Sequence, residues 1–412
     1  MSIARLRIAC IVVAAAAWFG GTMAEAAAGD WTQFRGPGGA PSNDNSGLPV
    51  KWTKTDNIRW TADLPGRGLS CPVVSDGKVF VTACDGPEQR KLLLLCFDVE
   101  TGKKLWQRSI WATGSTVCHP KTCMAAPTPV TDGKAVYALF ATADLIACDL
   151  DGNVLWYRSL TGDYPSITNQ VGMASSLLLA PGALIVPMQN VGESFIAGLD
   201  PKTGKNIWKT ERPREINWVT PALRLGGHGA EVVFQDRAEL VAYDVATGKR
   251  RWSHGSGDRS EVPSPVVIPD GTVLAPGSEL VALKPGADGE SPKVAWSSNK
   301  LRAGGYPTPL YYRGRVYSVN STGILTCADA KDGKVLWQER AKGPVSASPV
   351  AGNDRIYVVS EKGATTVIKA GDKPTIEATN DLGEEFLATP AIANGCIFLR
   401  SDGKLYCIGA RK

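Results

Sequence analysis

The sequence predicts an all-β protein, an eight-bladed β-propeller of four-stranded antiparallel blades, and three observations carry that reading. The first is a recurring phrase, Asp-x-x-(Thr/Asp)-Gly-Lys-x-x-Trp or a close relative. It runs from Asp98 to Trp106, Asp149 to Trp156, Asp200 to Trp208, Asp244 to Trp252 and Asp329 to Trp337, with a looser copy ending at Trp296 and only its tail at Trp60. These seven tryptophans lie 46, 50, 52, 44, 44 and 41 residues apart, the period of one four-stranded blade. The second is an out-of-phase phrase with eight copies, usually a small hydroxyl residue before Pro and then apolar residues. Its copies begin at Cys71, Thr128, Ser175, Thr220, Ser264, Thr308, Ser348 and Thr389. The third is the pair of chain ends. After residues 405–408 no fourth strand remains, while residues 57–63 (NIRWTAD) stand unpaired near the start.

Each element follows from these phrases. In blade one, Val73-Val74 opens strand A, residues 78–83 (KVFVTA) alternate apolar positions as strand B, residues 92–97 form C and 104–108 form D. Turns such as Ser75-Asp76-Gly77-Lys78 and Thr131-Asp132-Gly133-Lys134 suit antiparallel connections. Pro at the first residue of a strand is tolerated, since a ladder donor lost there costs little. A lone four-stranded sheet cannot bury both faces, so the blades must stack around a ring. The tryptophans Trp60, Trp106, Trp156, Trp208, Trp252, Trp296 and Trp337 are the expected inter-blade anchors. Residues 57–63 are expected to supply strand D of blade eight and close the ring, which removes an exposed edge. In blade seven Thr375-Ile376-Glu377 stands where a Trp is expected, so the weakest inter-blade packing is expected there.

The phrases resemble the propeller repeats of the pyrroloquinoline-quinone (PQQ) dehydrogenase superfamily, whose blades carry Ala-x-Asp-x-x-Thr-Gly-x-x-x-Trp. Residues 242–252, Ala-Tyr-Asp-Val-Ala-Thr-Gly-Lys-Arg-Arg-Trp, match it throughout, and the resemblance spans about residues 52 to 409. It implies the eight-bladed fold. The superfamily holds both quinone enzymes and non-enzymatic members, such as the lipoprotein of the outer-membrane barrel-assembly machinery, so fold membership does not select a function.

The first 28 residues read as a secretory signal. Arg5 and Arg7 give a positive start, residues 8–19 an apolar core, and Ala24-Glu25-Ala26 a small-x-small cleavage site. The expected product is exported, periplasmic or secreted, with no transmembrane segment after cleavage. An N-terminal extension (29–52) then precedes the propeller (53–412). Two Arg and one Glu leave with the signal, so 45 − 2 = 43 basic and 40 − 1 = 39 acidic side chains remain, a net charge of about +4. That weak charge is spread through turns with no basic tract, which argues against nucleic acid. A monomer is expected.

Nine cysteines remain in the exported chain, where oxidation is permitted. Cys96, Cys327 and Cys407 occupy the strand-C slot held elsewhere by Ala147, Gly198, Ala242 and Ala282, and read as small buried side chains. Cys118 and Cys123 bracket Cys-His-Pro-Lys-Thr-Cys in the longest connection between blades. A disulfide between them is the favoured reading and would contribute at most ~2 kcal/mol by loop entropy. Unpaired thiols, or a metal site with His119, are the alternatives.

Ligands of a propeller are expected at the mouth where the D-to-A and B-to-C loops meet. The residues there include His119, Lys121, Met124, Thr168, Asn169, Gln170, Glu215, Asn217, Trp218, Arg259, Glu261, Arg302, Tyr306, Glu384 and Glu385. The resemblance to the dehydrogenases would imply Ca²⁺ held by Glu, Asn and Asp, with a Trp under the quinone. Glu215, Asn217, Trp218 and Glu261 are the candidates, but they do not map onto the dehydrogenase motifs, and the vicinal Cys pair of many such enzymes is absent. His228 reads as a turn residue, and Glu384-Glu385 as solvated loop. The extension carries Trp31-Thr32-Gln33-Phe34-Arg35-Gly36-Pro37 and is expected to pack on the ring, with Arg35 satisfying carbonyls; a plug over the channel is the alternative. The expected role is a non-catalytic scaffold without cofactor, binding protein, peptide or envelope polymer at the loop-rich face. The alternative is a PQQ- and Ca²⁺-dependent oxidoreductase, and then a carbohydrate-active propeller.

Overall fold

The computed structural model describes residues 29–410 apart from 40, 41, 45, 46, 170, 227, 228, 256, 287–289 and 303. The expected signal segment and His228 lie outside the described residues. Eight four-stranded antiparallel sheets follow one another around a ring. Blade one is Val73–Ser75, Lys78–Asp85, Lys91–Asp98 and Lys104–Trp111. Blade eight is Ala391–Ala393, Cys396–Arg400, Lys404–Ile408 and, from the other end of the chain, Ile58–Asp63. That last strand pairs antiparallel with Lys404–Ile408, placing Trp60 opposite Cys407 and Asp63 opposite Lys404. The expected closure of the ring is therefore observed.

The strand-C slot for small side chains has a physical cause. Cys96, Ala147, Gly198, Ala242, Ala282, Cys327 and Cys407 lie directly opposite Trp106, Trp156, Trp208, Trp252, Trp296, Trp337 and Trp60. A large indole on strand D leaves room for only a small partner across the ladder. Six of the seven indoles then reach the following blade. Trp106 Nε1 donates to Leu150 O at 2.9 Å, Trp156 to Pro201 O at 2.8 Å, Trp208 to Val245 O at 2.7 Å and Trp60 to Val99 O at 2.9 Å. The ring lies over the motif glycine of that next blade. At Gly102, Gly152, Gly204, Gly248 and Gly333 a Cβ would come within 3 Å of the indole, and all five have positive φ. Gly and Trp of one phrase are thus partners of different blades, and these five joints use both. Trp252 is the exception, donating within its own blade to Glu231 Oε2 at 3.2 Å.

Blade seven corrects one expectation. The register places Ala378, not residues 375–377, at the Trp position, and Val367 stands opposite it where other blades have a small residue. Small and large have exchanged sides. Ala378 packs against a cluster containing Leu48 and Trp52 of the extension, so that joint is filled from outside the repeat. Trp52 N–H donates to Asn380 Oδ1 at 3.0 Å.

The extension crosses the face bearing the A-to-B turns. Trp31 exchanges backbone hydrogen bonds with Val74 of blade one, Thr32 O accepts from Thr131 of blade two, and Arg35 Nη1 donates to Pro265 O of blade five at 3.2 Å. Asn43 then bonds Ala351 of blade seven and Ile392 of blade eight, and Asp44 accepts from Tyr312 of blade six. The extension packs on the ring, with Arg35 reaching a carbonyl of blade five, and its Phe34 lines the axial cavity.

In the structure Cys118 and Cys123 are not bridged to each other, and none of the nine described cysteines forms a disulfide. Cys118 Sγ lies 3.8 Å from Met124 Sδ, while fully buried Cys123 sits in thiol contact with Cys84 of blade one. The turn between them, closed by Thr122 N–H to His119 O, sends the two side chains to different neighbours.

Candidate functional site: the axial channel and its mouth

The second phrase of the sequence lines the channel. The backbone N–H of Cys71 donates to Thr128 Oγ1 at 2.9 Å, that of Thr128 to Ser176 Oγ, Ser176 to Thr220, Thr220 to Ser264, Ser264 to Thr308, Thr308 to Ser348 and Ser348 to Thr389, each at 3.0 Å. At seven of the eight positions a Pro follows, which favours an extended backbone before it and holds the N–H toward the neighbouring blade; Ser176, followed by Leu177, is the exception. In blade three the ring residue is Ser176, the second of the Ser175-Ser176 pair. The eighth position is Cys71, whose thiol donates to Pro72 O and Pro390 O and is pushed up to about 12 by burial. Hydroxyls were legible as strand starters; that they form one hydrogen-bonded ring was not.

All eight residues line a cavity of about 420 Å³, with Phe34 of the extension and, toward the mouth, His119, Lys121, Trp218, Tyr306 and Leu387. Lys121 spans the opening, its Nζ 2.6 Å from Glu361 Oε1 of blade seven and 5.2 Å from the Tyr306 ring centroid. Ser346 Oγ also donates to that Glu361 oxygen at 2.6 Å. His119 Nδ1 accepts the Lys121 N–H, and the Arg67 guanidinium donates to Pro120 O, so the connection 113–122 is braced over the rim. Trp218 is oriented by Nε1–H to Gly172 O at 3.0 Å and by its own N–H to Glu261 O at 2.8 Å.

Of the four quinone-site candidates, only Trp218 lines this cavity. Buried Asn217 is committed to the scaffold: Nδ2 donates to Gln189 Oε1 and Gln235 O, and Oδ1 accepts from Val219. Glu261 is paired with Arg237 at 2.8 Å. Glu215 accepts from Gln189 at 3.3 Å, and burial, then Asp236, raises its pKa. Glu384 takes the Tyr406 and Ser401 hydroxyls, away from Glu261. Among the described residues no three His, Cys, Asp or Glu side chains are grouped to hold a metal. These carboxylates do not supply the converging oxygens that Ca²⁺ demands.

An eight-bladed ring closed by its two chain ends, with a polar axial cup, defines a propeller of the quinoprotein-like class. The chain matches the model of the family described as outer membrane protein assembly factor BamB over residues 42–175, 166–284 and 277–374, and it belongs to that family. It is 24% identical to the outer membrane protein assembly factor BamB of Yersinia pestis over 321 residues, 77% of this chain and 70% of that protein. It is 29% identical to the quinoprotein ethanol dehydrogenase of Pseudomonas aeruginosa over 238 residues, 51% of this chain but 34% of the enzyme. Among solved structures, BamB from Moraxella catarrhalis superposes with a TM-score of 0.62 at 16% identity, covering 85% of this chain and 96% of that one. The quinohemoprotein alcohol dehydrogenase from Comamonas testosteroni gives 0.69 at 14% identity, covering 93% and 81%. At those identities the superpositions speak to the fold alone.

Proposed function

We propose that this chain is an exported, non-catalytic scaffold that holds a protein partner at its loop-rich face and serves outer-membrane protein assembly. Membership in the BamB family is the observation that carries the reading. The arrangement of the mouth supports it: the carboxylates that an enzyme would use are spent on Arg237, Gln189, Tyr406 and Lys121. No helix among the described residues is long and apolar enough to cross a membrane, and the export route rests on the N-terminal segment.

A photo-crosslinking amino acid at position 306, exposed at the mouth, is compared with one at 225, exposed on the opposite face. With an unfolded outer-membrane β-barrel protein as probe, the mouth position should give the adduct and the opposite face should not. Equal adducts at both positions, or none at 306, would refute the reading.

A quinoprotein oxidoreductase is the second reading, favoured by relatives in that class, such as the P. aeruginosa enzyme, which aligns with half of the chain. It requires cofactor ligands other than Glu215, Asn217 and Glu261.

A further inference from the structure

The ring hydroxyls are only half used. Each of the seven oxygens of Thr128, Ser176, Thr220, Ser264, Thr308, Ser348 and Thr389 accepts a backbone N–H, and none donates its own proton to an acceptor among the described residues. All seven residues are at most 7% exposed and all line the cup. Buried donors without acceptors are costly, so native sites fill them with water or ligand.

Beneath the ring lies a second unmet demand. Arg35 is 3% exposed; its Nη1 reaches only Pro265 O, the residue after ring member Ser264, while Nε and Nη2 have no partner among the described residues. Among the described residues no carboxylate offsets its charge: burial pulls the guanidinium down, to about 9, which still leaves it protonated at neutral pH. Its neighbour Phe34 forms part of the cup's lining. Water can satisfy hydroxyl protons but supplies no counter-charge, and a buried unpaired cation strongly favours an anion. Above the ring, Trp218, Tyr306 and Leu387 add an apolar wall, and Lys121 adds a second cation at the opening. A cup of this size falls in the range of small-molecule sites.

We propose that the axial cup binds a small organic carboxylate, its oxygens among the ring hydroxyls above Arg35 and its apolar body against Trp218 and Tyr306. The proposal does not rest on the partner-holding reading, although Tyr306 borders both the cup and the mouth. Glu361 is the internal competitor, since it pairs with Lys121 at the opening.

The test uses 4-fluorobenzoate, followed by its fluorine NMR line and by calorimetry with the mature protein, with neutral 4-fluorobenzamide as control. Saturable binding of the acid, weakened by salt, is expected. Arg35→Gln and Thr308→Val should each weaken it at least tenfold, Lys121→Met severalfold, and Glu361→Gln should strengthen it. Lys121→Met and Glu361→Gln alter residues at the rim, so they keep the test open where Arg35→Gln fails to fold. The proposal is overturned if the acid does not saturate, if the amide binds equally well, if inorganic phosphate binds in its place, or if the Lys121 and Glu361 variants leave affinity unchanged.

Discussion

At the rim of the propeller a side-chain N–H reaches across to a backbone carbonyl of the next blade; around the channel a backbone N–H reaches across to a side-chain oxygen. Both rings tie neighbouring blades, yet they differ in what they leave over. An indole has one donor, and at Trp60, Trp106, Trp156, Trp208, Trp296 and Trp337 that donor is consumed by a carbonyl of the next blade. A hydroxyl has a donor and two acceptor sites, and the inner ring consumes only an acceptor site. The rim is therefore finished as structure, while the channel retains a circle of donors. The difference separates the part of the repeat that holds the fold from the part able to meet a ligand.

Breaking the rim should cost most. Trp208→Ala removes a buried indole, its bond to Val245 and its contact with Gly248, and should lower stability by about 3–5 kcal/mol in urea unfolding. A loss below about 1 kcal/mol would mean the joint is not what holds blades three and four together.

Breaking the inner ring should cost less per joint. Thr220→Val keeps the shape but leaves the buried Ser176 N–H without its acceptor, an expected loss of about 1–3 kcal/mol by the same measurement. Equal losses at Trp208 and Thr220 would erase the distinction between the rings.

The extension's anchor sharpens the comparison through pH. Burial first, then its hydrogen bond to Asp44, raises the Tyr312 hydroxyl to about 12 from an ordinary 10. A group raised on folding stabilises fully below its unfolded value, so this contribution is intact below pH 10 and is lost as pH rises toward 12. Tyr312→Phe should flatten part of that alkaline decline, read as the difference between the two stability-versus-pH curves. Parallel curves would mean that the bond to Asp44 does not hold the extension.

Much of the fold was legible because it is written eight times. Strand order, ring closure by residues 57–63 and the small strand-C slot were readable from local patterns, whereas the ladder register alone places that slot opposite the tryptophans. Blade seven was misread because its phrase is degenerate there, and only the ladder register identifies Ala378 as the position exchanged with Val367. The partnership of each Trp with the glycine of the next blade was hidden for another reason: the two residues sit in different copies of the phrase. The site was less legible still. Phe34 and Arg35 reach the channel through a segment outside the repeat, and Lys121 meets Glu361 across 240 residues of chain. Cys118 and Cys123, close in sequence, face different neighbours because a tight turn lies between them. Proximity along the chain was a poor guide at every position where loops rather than strands set the geometry.

The claim that the mouth holds a partner rather than a redox cofactor is tested most directly by titrating the mature protein with PQQ and Ca²⁺, followed by absorbance and heat with an artificial electron acceptor present. The expected result is no saturable Ca²⁺-dependent binding at micromolar cofactor and no alcohol- or sugar-driven dye reduction. Saturable binding coupled to dye reduction would contradict the account and make the mouth an active site.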